Sequence, residues 1–206
     1  PKLVFHSDGV QAYGKLPFRI SKNVDLYSIS AHKIGGLKGV GALVKRKNLN
    51  LYPLIFGGGQ ESGYRSGTEN VFGIKSFEYA ALERFSALKE NFAKVSAIKR
   101  YIANNLDENV FTIISDLSDE TSSPYVLSVS AVGLRGEVLM HEFETYGIVV
   151  GNGSACSSKN RYSKVIESCG YDAKVLDGVL RISFSPESTI EEAEKFVKIA
   201  NEAANK

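Results

Sequence analysis

Ser28-Ile-Ser-Ala-His-Lys-Ile-Gly-Gly-Leu-Lys-Gly-Val-Gly-Ala-Leu43 is the stretch whose reading decides the fold. An apolar, hydroxyl-bearing run ends in His32-Lys33, a glycine-punctuated turn follows, and Val40-Gly41-Ala42-Leu43-Val44 is apolar again. The pattern is that of a strand, a turn and a second strand of a largely buried sheet. A lysine held at a strand end beside hydroxyls and a histidine is placed to form a Schiff base with a phosphate-bearing aldehyde, and pyridoxal phosphate is the common cofactor of that kind. A lysine at a strand end is also an ordinary solvated charge, so the stretch alone leaves both readings open.

Outward from it, Leu3–His6, Asp25–Ser30 and Val40–Lys45 read as short strands bounded by Gly, Asn or Lys. Gly57-Gly-Gly-Gln-Glu-Ser-Gly-Tyr-Arg-Ser-Gly-Thr68 is too rich in glycine for a helix or a packed strand and reads as a polar loop. From about Glu69 to Asn105 the periodicity is helical, with Phe77, Ala80, Ala81, Leu82 and Phe85 on one stripe, continued by Phe92, Val95, Ile98 and Ile102. Ser66-Gly-Thr-Glu69 has capping-box spacing for its start.

The second half reads as strands at Val110–Ile114 and Tyr125–Val132, a helix over Arg135–Tyr146 closed by Gly147, and a short strand Ile148–Val150. After the loop Gly151–Lys159 come a helix near Ser163–Cys169, a strand Leu180–Phe184, and a closing helix capped by Thr189-Ile-Glu-Glu192. Strand alternating with helix makes the class α/β. The expected division is residues 1–105 with the connecting helix, then a smaller α/β domain over 106–206.

Composition narrows the function classes. The 206 residues are 43% hydrophobic and 23% charged, ordinary for a globular protein. A net charge of +2 makes no electrostatic case for nucleic acid or an acidic membrane surface. No apolar run is long enough to span a bilayer. Two cysteines, Cys156 and Cys169, form neither a disulfide framework nor a zinc pattern, which points to a reducing cytoplasm. Pro1-Lys-Leu-Val-Phe-His-Ser-Asp8 reads as a strand already under way, as in a piece of something longer.

Four further positions carry chemistry. Asp8 and Gln11 stand at the rim of the sheet, where ligands of open α/β folds bind. A carboxylate there can pair with a protonated pyridine nitrogen, or can simply make an Asp-Gly turn. Cys156, in Gly153-Ser-Ala-Cys-Ser-Ser-Lys159, lies in a loop beside hydroxyls and a cation, the setting of a nucleophilic thiol. Cys169 sits on a helical pattern and reads as structural. Arg181 opens an apolar run, where a guanidinium can hold a carboxylate by two points or join a surface ion pair.

Asp8-x-x-Gln11 with Gly14-Lys15, then Ser30-Ala-His-Lys33, Arg65-Ser-Gly-Thr68, Gly153-Ser-Ala-Cys156 and Arg181, in this order, resemble the class V aminotransferase family. Within it the match is to the cysteine desulfurases that supply sulfur for iron–sulfur clusters and thio-cofactors. The resemblance implies the later part of a fold type I large domain followed by the smaller C-terminal domain. It implies pyridoxal phosphate as cofactor, Lys33 as the Schiff-base lysine, Asp8 on the pyridine nitrogen and Gln11 on the ring's phenolic oxygen. Ser30 and His32 would bind the cofactor phosphate, and Thr68 would reach the phosphate of a neighbouring subunit in a homodimer. Arg181 would clamp the carboxylate of L-cysteine, Arg65 would line the same pocket, and Cys156 would take the sulfur as a persulfide. The loop from Cys156 to Gly170 resembles the subgroup that donates to scaffold or carrier proteins.

Family members are longer. Their N-terminal part carries a phosphate-binding loop, a histidine stacked on the ring and an asparagine near the substrate, for which no counterpart is found here. The expectation is therefore the C-terminal portion of a desulfurase, inactive until the missing half is supplied. A selenocysteine lyase or another class V pyridoxal phosphate enzyme, or a silent module that only dimerises or docks an acceptor, are the alternatives. Leu37 stands where the family usually has proline. His6 receives no catalytic step.

Overall fold

The computed structural model describes residues 3–152 and 162–204, in two compact units that divide between Glu90 and Asn91. The first is built on a three-stranded sheet in the order β1-β2-β3: β1 His6–Asp8, β2 Leu26–Ser30 and β3 Gly41–Lys45. β1 and β2 run parallel, with Asp8 opposite Ser28, and β3 returns antiparallel with Gly41 opposite Ser30. The first strand thus lies later than Leu3–His6. Leu3, Val4 and Phe5 are instead exposed, at 85%, 48% and 51%.

Helix α1, Val71–Ser86, packs against the 3₁₀ turn Ala31–Lys33 that follows β2. Its cap is Asn70, whose side chain accepts from the Gly73 N–H at 3.0 Å, rather than Ser66. Gly67, at φ +116°, is in a conformation no helix continues through. The single long helix expected to Asn105 is broken at Ala87, with φ −116° and ψ 18°, and α2 runs Leu88–Asn105. Just before the break Ser86 Oγ donates to the Glu83 carbonyl at 2.8 Å, a local bond that competes with helix continuation. Ala80 is buried under the α1 stripe, while Leu82 and Phe85 remain exposed.

The second unit holds an antiparallel sheet, β4 Phe111–Ile113, β5 Val126–Ala131 and β6 Val179–Ser183, in that order. Leu127, Val129 and Ala131 on β5 are fully buried and meet Leu180 and Ile182 of β6, Ile98 and Ile102 of α2, Phe143 of α3 (Gly136–Thr145) and Phe196 of α6 (Ile190–Ala204). Phe143 and Phe196 pack edge-to-face, centroids 5.6 Å apart. The capping box of α6 is formed as read: the Glu192 N–H donates to Thr189 Oγ1 at 3.2 Å, and the Thr189 N–H to Glu192 Oε2 at 3.0 Å.

Helix α4 is shorter than read, Lys164–Glu167, and α5, Ala173–Asp177, is a helix the periodicity did not signal; Asp172 caps it. Ile148–Val150 is not a strand. Pairing there is limited to the bridge between Gly151 and Arg181. Lys99, 3% exposed, places its ammonium on the Asp116 carbonyl at 2.8 Å, Ser122 Oγ at 2.9 Å and the Ser123 carbonyl at 3.1 Å.

Candidate active site

The site of the first unit forms where two parallel strands end together. Past Asp8, the Gly9 carbonyl accepts from the Ala12 and Tyr13 N–H groups, and the Ala12 carbonyl from those of Lys15 and Leu16, so residues 9–16 make two consecutive turns. Past Ser30, the Ala31 carbonyl accepts from the Ile34 and Gly36 N–H groups at 3.0 and 2.9 Å, and the Ala31 N–H donates to the Val40 carbonyl at 3.0 Å. The lysine is therefore on a turn closed by its own backbone rather than at a loose strand end. The two turns touch: a Cβ on Gly14, which sits at φ +69°, would lie 2.9 Å from Ile34 Cγ2.

Asp8 makes the Asp-Gly turn and keeps acceptor capacity. Its Oδ1 accepts from the Val10 N–H at 2.9 Å, and no bond to Oδ2 is recorded among the described residues. Gln11 Oε1 accepts from Lys15 Nζ at 2.9 Å. His6 Nε2 and Ser28 Oγ are 2.8 Å apart, on the sheet face that also carries Asp8 and Ser30. The side chains of Ser30, His32 and Lys33 make no hydrogen bond or ion pair among the described residues.

Lys15 is a residue to which the sequence reading gave no role, although its i,i+4 spacing from Gln11 was the available signal. Burial, and then the charges of Lys33 and Arg84, hold its pKa below the ordinary lysine value. Arg84 of α1 donates from Nε to the Ile34 carbonyl at 3.1 Å, the residue after Lys33.

These groups form a coherent set of donors with one carboxylate acceptor. A hydroxyl, an imidazole and an amine are uncommitted on one turn, the Gln11 amide nitrogen and one Asp8 oxygen are uncommitted on the other, and Lys15 and Arg84 stand close by. An anionic, phosphate-bearing ligand with an aldehyde fits that set.

Arg65 and Thr68 belong to the same unit, but neither is hydrogen-bonded to the Lys33 turn among the described residues. Arg65 Nη1 donates to the Ser66 carbonyl at 2.7 Å, and Thr68 is exposed. The loop holds a 3₁₀ turn, Glu61–Gly63, with Glu61 and Ser62 at positive φ.

In the second unit Arg181 is half-buried in β6 opposite Ser128, and its backbone exchanges two bonds with Gly151, at 2.9 and 2.6 Å. A Cβ on Gly151 would stand 3.1 Å from Arg181 Nη2, so the guanidinium lies directly over the glycine. Among the described residues that guanidinium has no hydrogen bond or ion pair. Cys156 lies outside the described residues, and Cys169 is exposed with its Sγ on the Val165 carbonyl at 3.3 Å. Among the described residues no helix is long and apolar enough to cross a membrane.

Residues 1–196 match the aminotransferase class-V family, and the chain belongs to it. It is 35% identical over 210 residues to the NifS/IcsS protein homolog of Lactobacillus delbrueckii subsp. bulgaricus, which covers 98% of this chain and 53% of that protein. With the cysteine desulfurase IscS of Anaeromyxobacter dehalogenans the identity is 37% over 212 residues, 99% of this chain and 51% of that protein. Among solved structures, one titled NifS-like protein superposes with a TM-score of 0.87 at 36% identity, covering 98% of this chain and 52% of that chain. The NifS-like protein from Rickettsia africae gives a TM-score of 0.85 at 30% identity, over 98% and 54%. The α/β class and the fold type I relationship read from the motifs hold. The chain spans about half the length of the curated relatives it matches.

Proposed function

We propose that this chain is the lysine- and acceptor-bearing half of a pyridoxal phosphate-dependent cysteine desulfurase, completed by the half of its relatives' length that it does not span. The observation that carries the reading is the uncommitted set Ser30, His32 and Lys33 beside Asp8 and Gln11, at the common carboxyl edge of β1 and β2. The cofactor, when bound, supplies an electron sink next to the substrate's Cα.

The residues then divide the work. Lys33 holds the aldehyde through its amine and moves the proton at Cα. The free carboxylate oxygen of Asp8 keeps the ring nitrogen protonated, and the Gln11 amide donates to the ring oxygen. Ser30, His32 and, from a second copy, Thr68 bind the phosphate. Arg181 orients L-cysteine by its carboxylate, and Arg65 is a further substrate-binding residue.

The Cys156 thiolate attacks the substrate sulfur. A sulfur–sulfur bond forms, the carbon–sulfur bond breaks with its electron pair left on carbon, and a proton completes L-alanine. The persulfide on Cys156 passes its outer sulfur to an acceptor protein.

The test is the visible absorption of the chain with pyridoxal phosphate, alone and with the other half of the protein, against Lys33→Ala. A Lys33-dependent band, then alanine release from cysteine that Cys156→Ala abolishes, is expected; the chain alone shows little or no turnover. Alanine release from selenocysteine that survives Cys156→Ala would replace this reading with a selenocysteine lyase. No band with both halves present would leave a docking or dimerising module.

A further inference from the structure

We propose that Lys15 is a positioning residue that fixes the side-chain amide of Gln11 with its NH2 group turned outward, as the donor for the cofactor's ring oxygen. The inference rests on the reading of Gln11 just given. Lys15 Nζ lies 2.9 Å from the Gln11 oxygen. An ammonium has three donors and no acceptor, so the amide atom it meets has to be the oxygen. With Oε1 engaged, Nε2 points away, and it has no partner among the described residues.

The backbone makes the pairing local. Two consecutive turns, closed on the Gly9 and Ala12 carbonyls with Gly14 at φ +69° in the second, fold the chain back so that the Lys15 side chain meets that of Gln11. Lys33 and Arg84, the cations that press on Lys15, leave an amide oxygen the more favourable neighbour for its ammonium. A glutamine without this tether presents oxygen or nitrogen alike. Only the nitrogen can donate to an oxygen carrying negative charge, and the wrong orientation sets two acceptors face to face.

The chain has two glutamines, Gln11 and Gln60, so its ¹⁵N spectrum contains two glutamine side-chain amide pairs. Gln60 accepts from the Gly67 N–H at 3.1 Å, in the separate glycine-rich loop, and serves as internal control. Lys15→Met is expected to shift and narrow the Gln11 pair and leave the Gln60 pair in place, with Lys15→Arg restoring the original signal. Methionine retains the stem and removes a charge that burial disfavours; Lys15→Leu reads the same signal should methionine not be tolerated. A Gln11 pair unmoved in both variants overturns the proposal.

Cofactor binding separates this inference from the reading beneath it. With both halves present, Gln11→Ala and Lys15→Met are each expected to weaken pyridoxal phosphate by about tenfold, the scale of one hydrogen bond, and the double variant by no more. Gln11→Ala without effect overturns the role of Gln11 itself. Weakening by Gln11→Ala and none by Lys15→Met overturns only the positioning.

Discussion

The phenol of Tyr27 fills the space a side chain at residue 9 would need: a Cβ on Gly9 would stand 1.8 Å from Tyr27 Cζ and 2.1 Å from its hydroxyl oxygen. The contact joins the middle of β2 to the turn carrying Asp8 and Gln11. Tyr27 is 6% exposed, and its buried hydroxyl has no hydrogen-bond partner among the described residues.

Gly9→Ala is expected to destabilise the first unit by about 1–3 kcal/mol, because a rigid ring has to move. Tyr27→Phe removes a hydroxyl buried without a partner and is expected to raise stability by about 1 kcal/mol. Urea unfolding of the two variants checks both, and an unchanged midpoint for Gly9→Ala contradicts the close approach.

Lys15 gives stability a pH dependence with a definite sign. Its folded pKa lies below the ordinary value of 10.5, first because of burial and then because of Lys33 and Arg84. The unfolded chain therefore binds the proton more tightly, and stability rises as pH climbs from the folded pKa to 10.5. That contribution is lost as pH falls. Compared with Lys15→Met, the wild type is expected to gain stability across this alkaline window. Parallel curves for the two proteins would refute the assignment.

Lys99 closes the segment between β4 and β5 by satisfying two carbonyls and a hydroxyl at once. Lys99→Met is expected to cost about 1–3 kcal/mol by leaving those acceptors without their donor. Faster proteolysis between Asp116 and Ser123 is the accompanying sign. Resistance equal to wild type would show that the segment is held by other bonds.

The turn after Lys33 is tied to α1 through Leu37, whose N–H donates to Ser76 Oγ at 3.0 Å. Ser76→Ala is expected to speed amide exchange at Leu37 by about tenfold, with exchange at Val95 in the other unit unchanged. Unaltered protection at Leu37 would rule out the tether.

Gly151→Ala tests Arg181 without removing it. The new methyl would meet Nη2 at 3.1 Å, and the guanidinium has to give way. If the chain with its other half is the desulfurase proposed above, a raised KM for L-cysteine is expected, with cofactor absorption unchanged. A lowered kcat at constant KM would argue against a carboxylate clamp.

Legibility from sequence followed the range of the forces involved. Strong local signals survived: the strand–turn–strand at Ser28–Leu43, the capping box at Thr189 and Glu192, and helix α3 within a residue or so at each end. The Ser66 cap failed because a glycine conformation intervened, and the helix break at Ala87 left no mark on the periodicity. Ile148–Val150 was apolar enough to suggest a strand, but among the described residues its ladder contact comes one residue later, at Gly151. For the site, side-chain types and order were legible. The commitments between side chains, Lys15 to Gln11 and Arg84 to the Ile34 carbonyl, were not, since they depend on turns and on residues fifty positions apart.

Leu37 occupies a position where the family resemblance leads one to expect proline, and its N–H bond to Ser76 is one that proline, lacking that hydrogen, could not make. A pyrrolidine ring stiffens a turn covalently, in the unfolded chain as much as in the folded one. A tether from a helix stiffens it only after the helix has docked. Lys33 therefore acquires its fixed setting late, as a product of tertiary assembly. Any substitution that loosens α1 will be felt at the amine before it is felt in the sheet.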